Sequence, residues 1–368
     1  MLASGPTIRA LAIALAVALT AVAAPAAASA DAGTVYTSTN SATANAIQAF
    51  SRAPDGTLAP ARTFATGGAG TGAGLGSQGA VVLDDHAGRL FTVNAGSDSI
   101  TSFKVTGRGL RLRDVEPSNG DRPVSLTVHG DLLYVLNAGS DQISGFRIRG
   151  GGNLQPLAGS TRGLSGPGTD PAQVEFSPSG DLLAVTEKAT NRIDTFRIGS
   201  NDRPGPLLSQ PSAGETPFGF AFDRRGNLIV SEAFGSAPNA SALSSYDVAP
   251  DGGIAPISPV VLTGQTAACW VVVTENGRFA YTTNTGSGSI SSYTVDRDGS
   301  IALKESIAAD TGVGSAPADQ ALDGSGHLFA LNSGSGTVGA YRLRGDGRLV
   351  PVDIVGGLPA GSAGLAAN

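Results

Sequence analysis

Seven short runs of β-branched and aromatic residues recur along the chain, and each stops at one polar residue. They are 35–40 (VYTSTN), 90–94 (LFTVN), 133–137 (LYVLN), 183–187 (LAVTE), 228–232 (LIVSE), 279–284 (FAYTTN) and 328–332 (LFALN). The end positions 40, 94, 137, 187, 232, 284 and 332 are spaced by 54, 43, 50, 45, 52 and 48 residues. That period is the roughly 40–50 residues of a propeller blade. A second strand follows most runs, as in AGSDSITSFKV (95–105) and KATNRIDTFRI (188–198), alternating around Phe103, Phe146, Phe196, Tyr293 or Tyr341. Gly-containing turns such as Asp298-Gly299 then lead to short outer strands, the pattern of antiparallel hairpins.

The innermost strands start from G-x-x-P, at Gly120–Pro123, Gly168–Pro171, Gly214–Pro217 and Gly314–Pro317, with a degenerate copy at Gly264. Proline fits the first residue of a strand, where no ladder donor is lost. The last copy, Gly356–Pro359, is followed only by nine residues, while the first block has almost nothing before it once the signal-like segment 1–30 is removed. Residues 360–368 are therefore expected to supply the inner strand of the first blade and close the ring, which removes the free sheet edges. The expected fold is an all-β, seven-bladed propeller of four-stranded blades over 31–368, one domain. Length alone would suggest two domains, but the repeat overrides it.

Composition agrees. The 52 glycines and 21 prolines in 368 residues are more than helical proteins tolerate. At 41% hydrophobic, the chain still has enough apolar residues for a core. A net charge of −6 without a basic stripe argues against nucleic acid or an anionic membrane as partner. The single cysteine, Cys269, allows no intrachain disulfide. Residues 1–30 carry Arg9, an apolar run over 10–24 and Ala-Ser-Ala at 28–30, a signal-peptide pattern. Cleavage is expected after Ala30, giving a secreted, monomeric protein. The run is shorter than the ~20 residues a membrane span needs, and no other segment has that length.

Two loop sets share one propeller face: those entering the inner strands and those joining the second and third strands. The entering loops bring Asp121, Arg122, Asp170, Glu215 and Gln265 there, and Ser125, Gln173, Trp270 and Asp319 lie just inside the inner strands. Such convergence on a central depression is the default ligand site of the shape. The polar ring ending the runs is Asn at five places, which suits a turn, and Glu at two, Glu187 and Glu232. Those two are either ion-paired to Arg192 or Lys188, or they form a general base or hydroxyl-binding pair. The longer loop Ala233–Leu243 brings Phe234 to the same rim.

His86, His129 and His327 fall in turns on the opposite face, so neither a His-based triad nor a His-rich zinc site is supported; no metal or cofactor is expected. Cys269 reads as a buried small hydrophobe. GGAGTGAGLG (67–76) opens no helix and reads as a glycine-rich connection. Asn239-Ala-Ser241 matches a glycosylation sequon, a pattern common by chance.

Residues 171–198, PAQVEFSPSGDLLAVTEKATNRIDTFRI, resemble the lactonase-type seven-bladed propellers, which include bacterial phosphogluconolactonases and fungal carboxymuconate lactonizing enzymes. The likeness extends over 31–368 through the blade repeat, and is strong toward secreted lactonase-like members. It implies hydrolysis of a lactone or ester of a sugar acid or related small molecule. Family enzymes tend to carry Pro-Arg-His on this inner strand and Glu after the second strand. Here Glu187 matches, but Ala172 and Gln173 replace the Arg and His. In the enzyme reading Glu187 or Glu232 activates water while Arg122 or Arg192 stabilises the oxyanion, and Gln173, Glu215, Phe234, Trp270 and Asp319 bind ligand. In the alternative readings the depression holds a ligand without turnover, or the propeller is a scaffold of the cell envelope.

Overall fold

The computed structural model describes residues 1–3, 5 and 32–368; the apolar run and the cleavage point expected after Ala30 lie outside the described residues. The described chain forms seven antiparallel sheets arranged in sequence order around an axis. Blade two spans 81–117, blade three 123–163, blade four 171–211, blade five 217–262, blade six 268–310 and blade seven 317–355. Blade one is made from both ends of the chain: Ala363–Ala367 pairs with Gly33–Ser38, which continues into Ala46–Arg52 and Leu58–Ala65. The C-terminal closure read from the sequence is thus present.

Blade four shows how the repeat folds. Pro171–Phe176 lies innermost, followed by Leu182–Glu187, Arg192–Ile198 and Pro204–Pro211. Leu183, Val185 and Phe196 are buried against Val124, Tyr134 and Ile143 of blade three, so each blade packs its apolar face on the previous one. The period-2 alternation of these strands is what makes two buried faces possible. Tyrosines at the tops of these clusters satisfy their hydroxyls across blades. Tyr281 donates to Gly347 O at 2.7 Å and Tyr293 to Val261 O at 2.9 Å.

Blade three departs from four strands. Its outer edge breaks into Asn153–Pro156 and Arg162–Gly163, both pairing with Gln142–Arg149. Ser160 fills the gap: its hydroxyl accepts the Gly145 amide at 2.9 Å, replacing a ladder partner.

The residue before each inner-strand proline is left-handed: Arg122 (φ 51°), Asp170 (46°), Thr216 (56°) and Ala316 (45°). A non-glycine residue there costs of order 1 kcal/mol, more so before proline. The turn aims each carbonyl at the neighbouring hairpin, where Asp170 O accepts Lys188 N and Thr216 O accepts Ala233 N. Entering loop and second-third hairpin are thereby bonded together on one face, hereafter the loop face. The other is the turn face, where His129 ends an inner strand and His327 begins a second strand.

Candidate functional site

Glu187 and Glu232 end second strands on adjacent blades, but both are fully buried within their own blades. Glu187 accepts Ser165 N at 2.9 Å, Ser165 Oγ at 2.5 Å and the Thr190 hydroxyl. Beside it is Asp194, whose two oxygens accept no hydrogen bond. A buried carboxyl without donors resists ionisation, and its proton faces the Glu187 carboxylate beside it. Burial, then the neighbouring Glu187, pushes Asp194 up to about 8. Burial also opposes ionisation of Glu187, but donors from Asp194, Ser165 and Thr190 outweigh it and hold this carboxyl below its usual range.

Glu232 accepts Gly214 N and Ser244 Oγ at 2.8 Å, Ser212 Oγ at 3.1 Å and Tyr246 Oη at 3.2 Å. Burial dominates and raises its pKa despite these donors. The two glutamates share no hydrogen-bond partner. Each instead ties its blade's entering loop, at Ser165 or at Ser212 and Gly214, to its hairpin. Asn94 and Asn284 instead bond within their own hairpins, reaching Thr101 at 2.9 Å and Ser291 at 2.8 Å.

The cations expected beside these glutamates are elsewhere. Arg192 turns to the outer strand, donating to Ser209 Oγ at 2.7 Å and Ser209 O at 3.2 Å. Lys188 donates to Gly76 O at 2.7 Å and lies 4.8 Å above the Phe218 ring. Arg122 and Glu215 are exposed on the rim, Arg122 3.8 Å from Asp170, and Phe234 is half-buried beside them.

The loop-face depression expected from the sequence is filled. Ser77 and Gln78, from the connection between blades one and two, lie across it, and the Trp270 indole donates to Ser77 O at 2.9 Å. Below them a cavity of about 470 Å³ follows the axis. Its lining reaches Leu322 and Ala367, the last residues of their inner strands, at the turn face. Gln78, Thr127, Gln173, Glu175, Asp319 and Gln320 supply its polar side chains. Among the described residues no Lys, Arg or His lines it. A larger groove of about 700 Å³ opens between the outer parts of blades one and two, beside Phe64 and Arg108, and holds no carboxylate or histidine.

Gln173 bonds the neighbouring inner strand through Phe220 N and O, at 2.7 and 2.9 Å, and also donates to Glu175 Oε2 at 2.8 Å. Burial pushes Glu175 up to about 8. Asp319 is buried, while Glu175 is half-buried; the Asp319 Oδ1 accepts Gln320 N at 2.8 Å, whereas its Oδ2 has no partner. Burial raises it to about 8, against smaller opposing effects of the Gln320, Leu365 and Gly79 amides. Gln173 and Asp319 were legible as inner-strand polar residues. Glu175 was missed, although it stands two positions from Gln173 and so on the same side of the strand.

Among the described residues no group of three or more His, Cys, Asp or Glu side chains could hold a metal ion. None of their helices is long and apolar enough to cross a membrane. The family model for the lactonase seven-bladed β-propeller matches residues 43–168, 80–237 and 230–363. The chain belongs to this lactonase family. A protein from Lactobacillus plantarum superposes on it with a TM-score of 0.75 at 16% identity, covering 92% of this chain and 100% of that one. The periplasmic gluconolactonase PpgL of Pseudomonas aeruginosa gives 0.70 at 17%, covering 91% and 98%. Virginiamycin B lyase from Staphylococcus aureus gives 0.54 at 14%, covering 77% and 86%. At such identities the likeness is one of fold. No curated protein matches the chain. Within the lactonase family this member has Ala172 and Gln173 on the inner strand of blade four, and its Gln173 is engaged in joining two blades.

Proposed function

We propose that this protein is an exported hydrolase of a small, uncharged, hydroxyl-rich lactone, with its chemistry in the axial cavity. The observation that carries this reading is that Glu175 and Asp319 line one cavity of about 470 Å³ without a cation among its lining residues. The ionised fraction of Glu175, which grows as pH approaches 8, takes a proton from water attacking the lactone carbonyl. Asp319, still protonated near neutral pH, donates a hydrogen bond to the developing oxyanion. A carboxyl kept neutral by an apolar site can do this. The amide donors of Gln78, Gln173 and Gln320 are engaged by backbone or by Glu175. The unpartnered Gln320 Oε1 is an acceptor, which suits a ligand bringing hydroxyl donors, and the unpartnered Asp319 Oδ2 is free to carry the donated proton. A phosphorylated or carboxylated lactone would meet the ionised Glu175 with no cation in the lining to offset its charge, and like charges in a low-dielectric site repel strongly.

The test is turnover of paired neutral and phosphorylated aldonolactones by wild type and Glu175→Gln. Turnover of the neutral lactone, lost in the variant, supports the reading. Preference for the phosphorylated substrate contradicts the proposed selectivity. A second reading, ligand binding without turnover, is favoured by the replacement at Ala172 and Gln173; it expects saturable calorimetric binding of the neutral lactone with no product.

A further inference from the structure

The connection between blades one and two is fifteen residues, 66–80, whereas those at 118–122 and 212–216 are five. Asn40 pins its root, donating to Ala73 O at 2.6 Å and Gly361 O at 3.1 Å. Residues 74–79 then cross the loop-face mouth of the axis and bond to four other elements of the ring. Ser77 Oγ donates to Val124 O of blade three at 2.8 Å, and Gln78 N to Ala172 O of blade four at 3.1 Å. The Gln78 side chain joins blade six, donating to Val271 O at 2.7 Å and accepting Val271 N at 3.0 Å. Lys188 of the blade-four hairpin donates to Gly76 O. Gly76 and Gly79 take φ of +62° and +81°, where a side chain would be strained, and a Cβ at Gly219 would strike Gln78 Oε1.

Two of these bonds have the form of ligand recognition. The Lys188 ammonium and the Trp270 indole N–H each donate to a strap carbonyl, Gly76 O and Ser77 O. Their floor is aromatic and apolar: Phe218 and Trp270, with ring centroids 5.0 Å apart, and Cys269 and Ala172 in the same cluster. The chain itself holds the carbonyls that satisfy these donors, and Lys188 Nζ also pairs with Asp170 Oδ2 at 3.4 Å on its rim side.

We propose that residues 74–79 act as an internal ligand, occupying a carbonyl- or carboxylate-binding site built by Lys188 and Trp270 and sealing the axial cavity at the loop face. Ligand then reaches Glu175 and Asp319 from the turn face alone. The inference stands whether or not the cavity turns over a lactone.

The chain's one tryptophan and one cysteine both lie beneath the strap, which gives a direct readout. In native wild type, acrylamide should quench Trp270 far less than in urea-unfolded protein, and Cys269 should resist a thiol reagent. Gln78→Ala removes the two bonds to Val271 and should raise strap opening about tenfold or more, the scale of one to two buried hydrogen bonds. Quenching and labelling then rise, with circular dichroism confirming a folded chain. Ser77→Ala, which removes the bond to Val124 O and leaves both donors in place, is a second strap-loosening variant if Gln78→Ala does not fold. Sodium acetate is the probe for the vacated donors. It should shift Trp270 emission saturably in Gln78→Ala, not in wild type, and not in Gln78→Ala combined with Lys188→Met. Free quenching of Trp270 in native wild type would overturn the seal. A loosened, folded variant that shows no saturable acetate response would overturn the carbonyl site.

Discussion

Arg52 and Asp323 meet across the seam that closes the ring, with Nε 3.3 Å from Oδ2 and both side chains buried. Arg52 also donates to Asn368 O through Nε and Nη2, both at 3.1 Å, and to Ala32 O, binding the closing strand to blade one. Asp323 is further held by Ser325 and His327; these donors outweigh its burial and keep its carboxyl below the usual range.

Arg52→Ala should therefore destabilise by about 3–5 kcal/mol, because it leaves Asp323 buried without its cation. Melting temperature measured by calorimetry should fall accordingly, and Arg52→Lys should recover part of the loss. The depressed Asp323 stabilises the fold above the ordinary carboxylate pKa. That contribution disappears as pH drops through its folded value.

Deleting residues 363–368 should be at least as costly, since it uncovers the edge of Gly33–Ser38 and removes Leu365 from the core. Size-exclusion chromatography should show association of the truncated chain. A monomer with unchanged melting would contradict closure by this strand.

Asp194→Asn should stabilise the protein at alkaline pH and do little near pH 4. Burial and the neighbouring Glu187 raise the folded carboxyl well above the ordinary value of ~3.9 at which it ionises in the unfolded chain. Between the folded and unfolded values only the unfolded state releases the proton, so stability falls as pH rises, and the full penalty persists above the folded value. Asparagine carries no such penalty and still donates to Glu187. Melting curves at pH 5 and pH 9 should show the difference between variant and wild type growing with pH.

Asp319→Asn separates the two channel carboxyls. With Glu175 needed ionised and Asp319 protonated, and both near 8, lactone turnover should be bell-shaped and peak around pH 8. The asparagine amide donates at every pH, so the alkaline limb should disappear while the acid limb stays. Asp319→Ala should lose most of the rate instead.

The fold was legible because blade spacing, G-x-x-P starts and complementary chain ends all report the same ring. The site was less so. Glu187 looks exceptional beside five asparagines, yet its reason is Asp194, seven residues on and facing it only after the hairpin forms. Glycine richness at 67–76 marks a connection but not its course across the axis, which depends on partners as distant as Trp270 and Val271. The Gln173–Glu175 alternation was a readable signal for the channel. It was masked by the prominence of the glutamates at the strand ends.

The most direct measurement is a pH–rate profile for a neutral aldonolactone with wild type, Glu175→Gln, Glu187→Gln and Glu232→Gln, all confirmed folded. If the chemistry lies in the axial cavity, Glu175→Gln abolishes the acid limb and most of the rate. Glu187→Gln and Glu232→Gln, which alter only loop anchors, keep the wild-type profile and differ in melting temperature. An unchanged profile in Glu175→Gln, with the rate lost in Glu187→Gln or Glu232→Gln, would contradict this assignment and return the chemistry to the strand-end glutamates.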